Sequence, residues 1–115
     1  MTTTHTLLRG VTLGDLGRVV YLDSELLSPC PCPLCLGPRP RRWGRVSQSA
    51  RLLARDILYA ALADSDAAHA LTDDYAEQVV YRLPAESWTL PISAVLTWVA
   101  SDPARAVWLG LDDRR

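Results

Sequence analysis

Three thiols crowd one short stretch, Cys30-Pro31-Cys32-Pro33-Leu34-Cys35-Leu36-Gly37. A Cys-Pro-x-Cys with glycine two residues further on has the shape of a zinc knuckle, whose turn points both sulfurs inward. Zinc takes four tetrahedral ligands, mostly thiolate or imidazole, so Cys30, Cys32 and Cys35 leave one position open. His5, His69 or a residue from a second copy of the chain can fill it. Against this, Pro31 and Pro33 carry no N–H to offer a sulfur, and the chain has no second cysteine pair to complete a ribbon. Three readings stand: thiols in a plain proline loop, a zinc site, and a redox or intermolecular disulfide role.

The second chemical feature is Arg39-Pro40-Arg41-Arg42-Trp43-Gly44-Arg45, followed by Arg51 and Arg55. Residues 39–55 hold six arginines and no acid, and the rest of the chain has a formal charge of −7, although the total is only −1. One positive face on an acidic body implies an oriented partner. Guanidinium forks suit phosphates and carboxylates, and a tryptophan face can stack a base. Arg39, Arg41, Arg42, Trp43, Arg45, Arg51 and Arg55 are therefore the candidate partner-binding residues. The partner is either an acidic protein or a nucleic acid, and a merely solvated face is the bland alternative. Arginine supplies every positive charge because lysine is missing, a bias that a GC-rich genome explains without special chemistry.

No assembled catalytic set accompanies these features. His5 and His69 stand in no triad pattern with a serine or cysteine, and both read as surface histidines. Asp73-Asp74 and Asp112-Asp113 are adjacent pairs, which diverge on a helix and fit no acid–base couple. The expectation is a protein without enzymatic activity.

The elements that must carry these residues fit one domain over residues 1–115, with 49% hydrophobic residues to build a core. Residues 6–22 read as a β-hairpin around Gly14-Asp15-Leu16-Gly17. Five prolines between Pro29 and Pro40 make 28–45 an irregular loop. Helices are predicted over 47–63, capped by Ser47 or Ser49, and over 66–81, capped by Asp64 or Ser65. Pro84 stops the second. A third begins near Pro91 and ends at Ser101-Asp102-Pro103. Leu53, Ile57, Leu71, Val79, Ile92, Leu96 and Val99 are the predicted core stripes. Arg51 and Arg55, four apart, are placed on the opposite side of their helix. Ala106–Leu111 alternates in part and can add a third strand to the hairpin. The fold class is α+β, a hairpin packed on three helices. No apolar run approaches the about 20 residues of a membrane span. The N-terminus lacks signal-peptide character, so a cytoplasmic protein is expected.

Trp43-Gly44, the Ala/Leu-rich helix after it, Val79-Val80…Leu83-Pro84, Trp88-Thr89-Leu90 and Ile92…Trp98-Val99 together resemble the DUF6166 domain, an uncharacterised family of small bacterial, archaeal and phage proteins. Arg9-Gly10 and the hairpin fit it more loosely. The stretch Arg45-Val46-Ser47-Gln48-Ser49-Ala50 departs from the glycine-rich loop typical of the family. The resemblance implies a single α+β domain, a phage or mobile-element setting and no assigned reaction. The resulting expectation is a small protein-binding module, a modulator or inhibitor of a host or defence complex, with homo-oligomerisation open. The alternative is a nucleic-acid-binding module, zinc-braced or not.

Overall fold

Strand β1 (Leu7–Thr12) is followed by β2 (Arg18–Leu22), and Gly14 and Gly17 between them take φ of 62° and 90°, which costs a glycine little. The computed structural model that shows this describes residues 6–14, 17–31 and 41–109. A second reversal at Asp23 leads into β3 (Glu25–Leu26). The Asp23 carboxylate accepts N–H bonds from Thr6 and Leu7, fastening the start of β1. The other side of β1 pairs with β4 (Ser87–Pro91), giving an antiparallel sheet in the order β3-β2-β1-β4. The α+β class and the hairpin are thus present, but the strand flanking β1 is Trp88-Thr89-Leu90 rather than the C-terminal segment.

That segment is helical as far as it is described, through α4 (Pro103–Ala106) and a 3-10 turn over Val107–Leu109. Capping outweighs the partial alternation there. Asp102 accepts from the Ala104 N–H at 2.8 Å, and Pro103 stands in the first turn with φ already suited to a helix. Arg105 then caps the preceding helix by donating to the Trp98 carbonyl, with its guanidinium 3.9 Å from the Trp98 ring centroid.

Helix α1 (Gln48–Leu62) starts at Ser47, whose hydroxyl accepts from the Ala50 N–H at 3.0 Å. It ends at Ala63 in the left-handed region, and Asp64 at once caps α2 (Ser65–Gln78) by accepting from Asp66 and Ala67. The two helices approach closely through small residues, Ala50 and Ala54 on one and Ala67, Ala68, Thr72 and Ala76 on the other, all buried. The end predicted as α-helix to Tyr81 tightens into a 3-10 turn over Val80–Arg82. Helix α3 (Ile92–Ala100) closes the core. Leu53, Ile57, Leu71, Ile92 and Val99 are buried as predicted, whereas Val79 and Leu96 sit half-buried at its margin.

The sheet meets the helices through Leu8, Val20 and Trp88. Gly10 faces Val20 on one side and Trp88 on the other. A Cβ on Gly10 would lie 2.3 Å from the Trp88 indole, so the missing side chain is what lets that ring lie across β1. Trp88 in turn meets Trp43 edge-on, with centroids 5.5 Å apart and planes at 88°. Gly10→Ala is expected to cost about 2 kcal/mol or more, because a buried indole wedged against a second tryptophan has little room to yield. Urea denaturation reads this directly. A wild-type midpoint would mean that the ring swings aside freely.

Candidate functional site

The arginine run does not form one continuous face. Arg41 folds inward, where its guanidinium pairs with Asp56 of α1 and donates to the Leu27 carbonyl at 2.9 Å. Asp56 is fully buried and also accepts the Cys30 N–H at 2.8 Å. Both flanks of the proline-rich segment are therefore tied to one carboxylate. Trp43 is 1% exposed, and its indole N–H is shared between the Pro84 and Ala85 carbonyls at 2.9 and 3.2 Å. It plugs the core and is closed to a stacking base.

The helical arginines are corrected too. Arg55 is 8% exposed and does not stand on an outer face. It turns into the α1–α2 interface, where its Nε donates to the Thr72 hydroxyl at 3.1 Å. Arg51 pairs with Asp73 at 2.6 Å across the same two helices. Neither lines the hollow described next. Arg39 lies outside the described residues.

Arg42 and Arg45 remain exposed, with no side-chain hydrogen bond or ion pair among the described residues. They border a hollow of about 610 Å3 beside the β1–β2 turn, together with Arg18 and Ser47. The sequence reading did not single out Arg18. It reaches the site from β2 by stacking 4.8 Å from the Trp43 ring centroid and donating to the Trp43 carbonyl at 3.0 Å. No acidic residue lines the hollow among the described residues. The first turn of α1, which Ser47 opens at the rim, has none either. The hollow therefore offers guanidinium donors and the positive end of a helix, a setting that favours an anion.

Elsewhere, the structure brings Cys30 and His69 together. The Cys30 thiol is fully buried, with its Sγ 3.8 Å from His69 Nε2. His69 is half-buried against it rather than on an open face. Burial, and then the nearby Arg55, hold the imidazole pKa below its ordinary value and favour the neutral ring. Cys32, Cys35 and His5 lie outside the described residues. Among the described residues no three His, Cys, Asp or Glu side chains are grouped to hold a metal. No helix among them is long and apolar enough to cross a membrane.

The family model of DUF6166, a family of unknown function, matches residues 11–101. The chain belongs to that family. No curated protein and no solved structure matches it.

The two kinds of arginine pair should separate in stability. Asp56→Ala leaves the Arg41 guanidinium without its buried counter-charge and is expected to cost about 3 kcal/mol. Arg51→Ala removes a largely solvated pair and should cost within about 1 kcal/mol. Chemical denaturation of both variants checks the contrast, and equal losses would contradict it.

Proposed function

We propose that this DUF6166 protein is a non-enzymatic binding module that holds an acidic protein partner at the arginine hollow. The observation that carries the reading is the pair Arg42 and Arg45. Both are exposed and unneutralised among the described residues, on the rim of a hollow where no described residue supplies an acid. Arg18 and Arg41 also line it, the first partly spent on Trp43 and the second on Asp56. Two or three such forks suit a short acidic segment, whose carboxylates accept paired N–H bonds.

Nucleic acid is the second reading, favoured by the same forks and the helix end. It fits less well. A duplex-binding surface gains affinity from each phosphate neutralised, and two or three contacts give a salt slope of only about −2 to −3. The ring that would stack a base is buried and covered by Arg18. The setting we infer, phage or mobile-element biology with modulation of a host or defence complex, rests on the family resemblance alone.

Affinity capture from host lysate, with and without nuclease, should recover a nuclease-insensitive protein partner. Arg42→Glu with Arg45→Glu should weaken that purified complex by about tenfold or more while leaving the fold intact. Arg51→Glu, away from the hollow, should leave binding unchanged. Submicromolar wild-type binding to DNA or RNA at physiological salt, lost in the double variant, would replace this reading with the second one.

A further inference from the structure

We infer that the groove between the open edge of the sheet at β3 and the C-terminal half of α1 receives an extended, apolar-and-basic segment of a partner protein, which joins the sheet as a further strand. β3 is an outermost strand of the sheet. Its register sets Glu25 against Leu22 and Leu26 against Tyr21, and the Leu27 N–H donates to the Val20 carbonyl at 2.9 Å. Antiparallel hydrogen bonds alternate along a strand, so Glu25 and Leu27 turn their backbone groups toward β2, and Leu26 turns its N–H and C=O outward. An open edge of this kind is a template for another strand unless charge, proline or a bulge blunts it. The residue at its centre is instead a leucine, 63% exposed.

Beside this edge lies a groove of about 280 Å3. Leu22, Glu25 and Leu27 line it from the sheet, and Tyr59, Ala60 and Ala63 line it from α1. The two alanines leave space that longer side chains would fill. Side chains alternate along a strand, so Glu25 and Leu27 project to the helix side of the sheet and Leu26 to the other. A segment added antiparallel to β3 therefore sends the residues opposite Leu27 and Glu25 toward α1. The first of these enters the apolar groove, and the second meets the Glu25 carboxylate. Main-chain bonds at an edge then give affinity, and the pocket for alternate side chains gives selectivity.

Charge decides which segment fits. Glu25 is exposed and has no ion pair among the described residues. The last turn of α1 has no basic residue, and its C-cap, Ala63, lines the groove. The negative end of that helix is thus unanswered at the same place. A lysine or arginine opposite Glu25 answers both. From N- to C-terminus the segment then reads apolar, apolar, basic. Pairing of β3 with a second copy about Leu26 fits less well, because it sets Glu25 opposite a leucine and leaves the charge unmatched. The inference stands apart from the acidic-partner reading, because the groove shares no lining residue with the arginine hollow and takes the opposite charge.

The test titrates a short fluorescent peptide with Leu-Val-Arg at its centre into the full-length protein, followed by anisotropy and by backbone NMR. Saturable binding in about the micromolar range is expected, with hydrogen exchange at the Leu26 N–H slowed as it pairs. Glutamate in place of the peptide arginine should weaken binding about fivefold or more, and Glu25→Arg should invert that preference. Ala60→Leu, which fills the groove, should abolish binding. Circular dichroism checks its fold, and should it fail to fold, the exposed Glu25→Arg decides. Arg42→Glu with Arg45→Glu should leave the peptide affinity unchanged. A peptide that does not bind, indifference to the charge at position 25, an unprotected Leu26 amide, binding lost with the hollow arginines, or a β3-paired dimer that excludes the peptide would each overturn the inference.

Discussion

The contact on which the sheet and helices depend is the indole of Trp88 laid over Gly10. Because position 10 has no side chain, the ring reaches across β1 and presents its neighbourhood to Trp43. Trp43 is anchored by its N–H to the carbonyls of Pro84 and Ala85, and these residues lead directly into β4 and back to Trp88. Gly44 belongs to the same circuit. Its N–H donates to Val80, and at a φ of 85° its α-carbon faces the Leu83 carbonyl so closely that a Cβ would come within 3.0 Å. The Trp-Gly, Leu-Pro and Trp-Thr-Leu elements of the family pattern are therefore one packing unit. The burial of two tryptophans is large enough to stabilise a small domain, and it tolerates a buried Trp88 N–H with no acceptor among the described residues.

A second constraint acts through charge. Asp56 sits inside the face of α1 that packs the core, where an ionised carboxylate is costly unless paired and hydrogen-bonded. It draws in Arg41 from one flank of the proline-rich segment and the Cys30 N–H from the other. The described ends of that segment, Cys30 and Arg41, are thus both held by one buried side chain. The same demand explains why the positive charge counted along residues 39–55 is not the charge displayed. Arg41 and Arg55 are consumed by the interior, and Arg51 by a neighbouring helix.

The helices were legible in the sequence because their information is local. The spacings of four between Leu53 and Ile57, and of three and four along Ala68, Leu71 and Tyr75, with Ser47 and Asp64 as caps, act within a turn or two of where they stand. β4 was not legible as a strand, since its five residues acquire that state by pairing with β1 some eighty positions away. The arginine partners were hidden for the same reason. Arg55 meets Thr72 and Arg18 meets Trp43 across 17 and 25 residues, and no spacing rule announces either contact. A signal existed for the close approach of α1 and α2: Ala68, Thr72 and Ala76 recur every fourth residue, and small residues at that interval permit it. Read in that way, the stripe also puts His69 beside a buried face rather than in open solvent.

The fold and the candidate site are linked through one dipeptide. Arg42 and Arg45 bracket Trp43-Gly44, of which the first residue is locked inside and the second reverses the chain at positive φ. With Trp43 pinned inward, Arg42 and Arg45 on either side of the dipeptide are left exposed at the surface. Arg18 stacks on the outside of the same indole and completes the rim. Under the proposed binding reading, the groups a partner would have to order are the side chains of Arg42 and Arg45, since Trp43 between them is already fixed. On that reading less conformational entropy would be lost than on ordering a flexible basic tail, which would favour one shape of anion over general attraction to negative charge.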